Sequence, residues 1–201
     1  MARTIAKDHE EKRLAILKNA AQFFAHNGFD RSSMSQLAIA CGVSKALIYH
    51  YYNSKDALLF DIVNTHLTAL LKTLQKVDQS GLDKSQNLRQ TVHAILDAYR
   101  DADAEHQVQT EAMTALPERE RAFLADLQRQ IVAIVADALR AVTPEIYAKK
   151  PESLRPVTMS LFGMLNWFYM WHRPGKGLSR AQYGDLVSDL ILRGVNGLDA
   201  D

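Results

Sequence analysis

The sequence predicts an all-α protein: a three-helix, helix-turn-helix module followed by a helical body of about six helices. Three observations carry this. Apolar residues recur at three- and four-residue spacing, and no stretch alternates as a half-buried strand does. Serine, asparagine and proline stand where those runs open, and glycine where several close. The run Ser32–Tyr52 then divides around Gly42 into two short helices, each with a serine in front of it.

The bulk numbers bound the rest. With 201 residues the chain is long enough for a proper core, as one domain or two small ones. Net charge is +1, so the whole molecule is no polyelectrolyte. The distribution says more: residues 1–56 hold eight Lys/Arg against five Asp/Glu, a balance of +3. The remainder holds sixteen against eighteen, a balance of −2. A basic N-terminal piece on a mildly acidic body suits local contact with nucleic acid. The single cysteine, Cys41, excludes an internal disulfide and any multi-cysteine zinc site. The N-terminus has no hydrophobic signal region. The longest apolar stretch, about 157–171, is too short and too interrupted to span a bilayer. A cytoplasmic protein without a membrane partner is expected.

Taken in order, residues 1–9 are polar and expected to fray, with Arg3 and Lys7 able to touch a groove or phosphates. Residues 10–27 form a helix whose apolar side holds Leu14, Ile16, Leu17, Ala20, Ala21, Phe23 and Phe24, closed by Gly28. Ser33 with Gln36 three residues on fits a capping box for the next helix, and Leu37, Ala38 and Cys41 face inward. Gly42 suits the tight turn, because glycine alone takes positive φ without steric cost. Ser44 caps the second short helix, with Leu47, Ile48 and Tyr51 inward. Asn53 or Ser54 opens a long helix from Lys55 to about Val77, broken at 78–81. Helices follow at about 83–104, with a bend over 101–106, then at 107–115 and at 117–142. Thr143, Pro144 and Pro151 bracket a loop with a short turn at 145–148. The most apolar helix spans about 155–173, stopped by Pro174–Gly177, and Ser179 caps the last one.

The second short helix leaves Ser44, Lys45, Ala46, Tyr49 and His50 on its outer side. That face is small at one end, cationic, then aromatic and polar. Small residues permit close approach to a duplex, and the others donate to phosphates or base edges in a major groove. Lys55 sits in the first turn of the following helix, where backbone N–H groups and the positive dipole end favour phosphate. A solvated lysine at a helix start is the plainer reading.

Residues 12–60 resemble the N-terminal DNA-binding domain of TetR-family transcription repressors. The likeness rests on Ile16, Ala20, Phe23, Gly28, Phe29, Ser33, Leu37, Ala38, Gly42, Val43, Ser44, Tyr49, Tyr51, Tyr52, Ser54, Lys55, Leu58 and Leu59. The run from Tyr49 to Leu59 is its most specific part; the family more often has phenylalanine at the place of Tyr52. The resemblance implies a helix-turn-helix DNA-binding domain at 1–54 and an effector-binding and dimerisation domain at 55–201. It implies DNA contacts from Ser33, Ser44, Lys45, Ala46, Tyr49, His50, Tyr52 and Lys55, the lysine on backbone phosphate.

The two last long helices are apolar on more than one side and so need two burial surfaces, one of which a twin subunit can supply. The resemblance points to the same pair for a homodimer, with Leu161, Leu165, Phe168, Leu186, Leu190 and Arg193 near the interface. Two reading helices set one DNA turn apart read a palindromic operator. Leu70, Leu74, Tyr99, Gln109, Met113, Phe123, Met164, Trp167 and Trp171 combine methionines, aromatics and few polar groups. That set suits a small apolar effector, and plain core packing accounts for each residue singly. The segment from Gly163 through Ser179 resembles regulators of lipid, steroid or aromatic-acid breakdown, several of which sense acyl-CoA thioesters. Lys72, Lys76, Arg100 and Arg173 are the cations a CoA would need.

Catalysis is not expected. His93 and Asp97 share a helix face but two ligands are too few for a metal site. His106 and Glu111 do not share a face, and no HExxH, phosphate-binding glycine loop or GxSxG is present. No cofactor or metal is expected. An α-helical adaptor or ligand carrier that does not bind DNA is the alternative, and it leaves the outward Lys45, Tyr49, His50 and Lys55 unexplained.

Overall fold

The computed structural model describes residues 2–77, 83–173 and 175–199. Among these, all regular structure is helical apart from one isolated bridge between Arg173 and Lys176. In chain order the helices are α1 (Ala2–Asn27), α2 (Met34–Ala40), α3 (Lys45–Tyr51), α4 (Lys55–Gln75), α5 (Lys84–Ala98), α6 (Asp103–Ala112), α7 (Glu118–Val142), α8 (Pro144–Lys149), α9 (Leu154–Asn166), α10 (Phe168–Trp171) and α11 (Arg180–Asn196). The expected break at 78–81 and the stop at Pro174 lie outside the described residues.

The chain packs into two units, neither continuous in sequence. The first comprises Met1–Leu67 with Asp101–Ala125, the second Thr68–Arg100 with Asp126–Asp201. In the first unit the core is Ile16, Leu17, Ala20, Ala21 and Phe24 of α1, Leu37 and Ala38 of α2, Ile48 of α3, and Leu58, Leu59, Ile62 and Val63 of α4. Val108 and Ala112 of α6 and Leu124 of α7 are buried in the same unit. In the second unit α5 packs along α11, and both touch α9. Leu88, Val92, Ile95 and Leu96 are buried there with Leu161, Phe162, Leu165, Val187 and Ile191. The α5–α11 approach depends on Gly184: a Cβ there would lie 2.9 Å from the His93 ring and 3.2 Å from Leu96. His93 Nε2 and Asp185 Oδ1 are 2.9 Å apart beside it, and Arg89 pairs with Asp189 one turn along.

Several boundaries differ from expectation. Residues 2–9 are helical rather than frayed, because this polar run is spaced for it. Lys7 pairs with Glu11 at 3.7 Å and Lys12 with Asp8 at 2.8 Å, each one turn apart. The expected helix at 83–104 ends at Ala98, capped by Tyr99, and Asp101 takes φ 60 in the connection. The polar run after it is no bend beyond that turn. It opens α6, where Asp103 and Glu105 lie in the first turn and complement the dipole. The single helix expected at 155–173 is α9 and α10 with Trp167 between them. Phe168 is drawn inward at this break and stacks on Tyr183 at 4.8 Å and His172 at 4.3 Å, with the Arg180 guanidinium 4.9 Å above its ring.

By length and composition α4 is apolar enough to cross a membrane, and half of that window is buried within the protein. Its hydropathy is that of a helix buried on more than one side: Leu58, Leu59, Ile62, Val63 and Leu67 are core in the first unit, Leu70, Leu71 and Leu74 in the second.

Candidate nucleic-acid interface

The interface is built by α2 and α3 on a floor supplied by α1 and α4. Ser33 closes a reciprocal capping box with Gln36: its Oγ accepts from the Gln36 N–H at 3.3 Å, and its own N–H donates to Gln36 Oε1 at 2.9 Å. The chain then turns at Gly42, φ 66. Ser44 caps α3, its Oγ accepting from the Leu47 N–H at 3.1 Å. These bonds are local, so the sequence alone fixes where α3 begins. Its rotation is set by Ile48, which is fully buried.

That rotation turns Ser44, Lys45, Ala46, Tyr49 and His50 outward, all exposed. Lys45 Nζ lies 5.9 Å from the centroid of the Tyr49 ring. His50 stands edge-on to His9 at 6.4 Å. Tyr51 also lies against His9, ring centroids 4.6 Å apart and tilted by 31°, and donates to its carbonyl at 3.4 Å. The helical start of α1 therefore lies beside the outer face of α3, and His9 is a neighbour that the spacing of residues 33–52 gave no means of finding. Ile39 on α2 is a second such residue, 81% exposed on the same motif. Cys41 is half-buried, its Sγ 3.8 Å from the Ile16 carbonyl, and burial pushes its thiol pKa up.

Two residues expected on DNA have internal partners instead. Tyr52 is buried, and its hydroxyl donates to Asp61 Oδ2 at 2.6 Å. Burial, then the neighbouring carboxylate, raises its pKa. A side chain so placed cannot reach a groove; it holds the end of α3. Lys55 Nζ donates to the carbonyls of Phe29 at 2.8 Å and Ser32 at 3.1 Å, and lies 4.2 Å from the Phe29 ring centroid. It clamps the α1–α2 connection to the start of α4, because an ammonium beside these turn carbonyls finds its acceptors within reach. Ser33 is exposed, with its hydroxyl engaged in capping.

The effector set divides between the units. Gln109, Met113 and Phe123 belong to the first, and Leu70, Leu74, Tyr99, Met164, Trp167 and Trp171 to the second. Leu70, Leu74 and Tyr99 are buried, and Tyr99 donates to Asn166 Oδ1 at 3.0 Å. Gln109 Oε1 is buried and has no hydrogen-bond partner among the described residues. Phe123, Trp167 and Trp171 are more than half exposed. Beside Phe123 on α7 it is Leu124 that is buried; Phe123 instead meets Phe60, ring centroids 5.8 Å apart, at an open groove. Of the four cations, Lys72 and Lys76 are exposed, Arg100 pairs with Asp97 at 2.6 Å, and Arg173 donates to the His172 carbonyl at 3.0 Å.

The dimer set also divides. Leu161, Leu165 and Phe168 are buried in the core of their own chain and cannot face a partner. On α9 the exposed apolar residue is Met159, on the opposite side from Leu161. Leu186, Leu190 and Arg193 of α11 are exposed, the two leucines at 43% and 55%. Among the described residues, no group of three or more His, Cys, Asp or Glu is placed to hold a metal.

Residues 16–62 match the family described as bacterial regulatory proteins, tetR family, and residues 81–195 match the tetracyclin repressor-like C-terminal domain. A TetR-family transcriptional regulator from Bordetella parapertussis 12822 superposes with a TM-score of 0.83 at 33% identity, covering 90% of this chain and 93% of that one. The structure of AibR in complex with isovaleryl coenzyme A and operator DNA superposes with a TM-score of 0.75 at 25% identity, covering 89% and 97%. The transcriptional repressor KstR2 of Rhodococcus jostii is 27% identical over 122 residues, 56% of this chain and 59% of that protein. The matches span 32% to 59% of the length of the first curated relatives. With both of its segments matched and its fold shared along nearly its whole length, the chain belongs to the TetR family of bacterial transcriptional regulators.

Proposed function

We propose that this chain is a cytoplasmic repressor that binds a palindromic operator as a homodimer and is released by a small apolar effector. Residues 1–54 read the DNA, and residues 55–201 bind the effector and pair the subunits. The outward set on α3 carries this reading: Ser44, Lys45, Ala46, Tyr49 and His50 are exposed together on a helix pinned by Ile48. Such a face has the donors and the low relief that a major groove accepts. The exposed Leu186 and Leu190 on α11, with Met159 on α9, support pairing through these helices. The complex of AibR with isovaleryl coenzyme A and operator DNA supports an acyl-CoA thioester as the effector class. The effector acts by population shift: it releases DNA only as far as it prefers the non-binding state of the dimer. The chain performs no catalysis in this reading.

A mobility-shift titration with the DNA flanking its own gene tests this, run at about 50 mM and 200 mM salt. Binding that weakens steeply with salt and resists competitor DNA is expected. Lys45→Ala and Tyr49→Ala should alter preference among sequences. Uniform loss from both places base reading elsewhere, and no binding refutes the proposal. A long-chain or aromatic acyl-CoA should release the DNA better than its free acid. Calorimetry showing no binding of any acyl-CoA removes that effector class.

A further inference from the structure

The seven residues of α3 contribute a single fully buried side chain, Ile48. One apolar anchor sets the rotation of a short helix and leaves it free to tilt. A second point of attachment lies at its end. Tyr52, the C-cap, is 6% exposed, and its N–H donates to the Ile48 carbonyl at 2.9 Å. Its hydroxyl donates to Asp61 Oδ2 of α4 at 2.6 Å. The Arg13 guanidinium of α1 pairs with that same carboxylate oxygen, and the Thr65 hydroxyl donates to the other at 3.3 Å. Arg13 is itself held by Glu10 at 3.0 Å. Three helices therefore converge on one carboxylate, whose side chain and that of Arg13 are only about a quarter exposed.

We infer that Asp61 is a positioning residue for sequence recognition, fixing the tilt of α3 by binding the Tyr52 hydroxyl on one side and Arg13 on the other. This rests on the reading of α3 as the DNA-contacting helix. Neither Asp61 nor Tyr52 touches DNA in it; they act through Lys45, Tyr49 and His50. The bonds are of the stronger kind, since the acceptor is ionised and the Arg13 donor is charged. Because the attachment is at the end of α3, losing it alters its direction more than its existence.

Tyr52→Phe removes one oxygen and keeps the ring, and Asp61→Asn keeps the shape and removes the charge. Amide hydrogen exchange on the free full-length protein tests the attachment without DNA. Amides of residues 48–52 should exchange about fivefold faster in each variant, with those of α11 unchanged. Selectivity is then read as the affinity ratio between a duplex selected from random sequence by the wild-type protein and a scrambled duplex. Each variant should lower that ratio about tenfold while binding the scrambled duplex as before, and the double variant should lower it no further. Unchanged exchange over 48–52 overturns the inference. So does an unchanged ratio, additive loss in the double variant, or equal loss on both duplexes. A wild-type protein that selects no duplex refutes DNA reading itself, and the exchange measurement still decides the attachment.

Discussion

Lys55 separates two roles that predict opposite results. Its Nζ lies 2.8 Å from the Phe29 carbonyl and 3.1 Å from that of Ser32, over a ring 4.2 Å away. Lys55→Met keeps most of the aliphatic stem and removes the donor. Two hydrogen bonds from a charged donor contribute roughly 1.5–3 kcal/mol each, and partial exposure places these at the low end. The loss is then about 2–3 kcal/mol, with both carbonyls free to recover some hydration. For a chain of this length that lowers the melting midpoint by roughly 5–10 °C. Circular dichroism at fixed protein concentration measures it, since self-association shifts the midpoint. Both tryptophans, Trp167 and Trp171, lie in the second unit. Ellipticity lost before the tryptophan fluorescence changes would place the damage in the first unit. A variant that melts with the wild type yet binds every duplex more weakly would refute the clamp and return Lys55 to the phosphate backbone.

Two further outcomes follow from the packing. Burial, then the charge of His106, lowers the pKa of His66 from 6.5 to about 4, and burial lowers that of His106 as well. Both favour the neutral form when folded, while the unfolded chain protonates near its ordinary value. Stability is therefore full above about pH 6.5 and falls toward pH 4, by at most roughly 1.4 kcal/mol per unit per histidine. Urea unfolding between these values should show that slope, and His66→Gln should flatten it; an equal slope in the variant excludes His66 as its source. Leu190→Glu should give a monomer by light scattering with unchanged circular dichroism, because Leu190 is 55% exposed. A variant that stays dimeric puts the interface elsewhere, whereas Leu161→Glu should unfold the chain, since Leu161 is fully buried.

What was legible in the sequence is what is decided within a few residues. Ser33 with Gln36, Ser44 with Leu47 and the turn at Gly42 are local devices, and they place α2 and α3 without reference to the remainder of the chain. Illegible were the features decided by distant partners. A helix start puts phosphate in view of Lys55, but its acceptors are carbonyls 23 to 26 residues earlier. The resemblance puts Tyr52 on DNA, while Asp61, nine residues on, draws it in. On α9 spacing marks an apolar helix but not which side is covered, so it does not tell the buried Leu161 and Leu165 from the exposed Met159. The missing break at Trp167 has the same origin, since Tyr183 and Arg180 hold Phe168 from beyond the bend.

The first unit is assembled from two separate lengths of chain: it pauses at Leu67 and resumes at Asp101. A ribosome must therefore release α6 and the opening of α7 before α1 has its full complement of neighbours. A truncated gene ending after α4, or a hybrid grafting residues 1–62 onto another body, would leave that side of α1 bare. Exchanging parts between such regulators calls for cuts at three places, after 67, before 101 and after 125, so that 101–125 travels with the segment it completes.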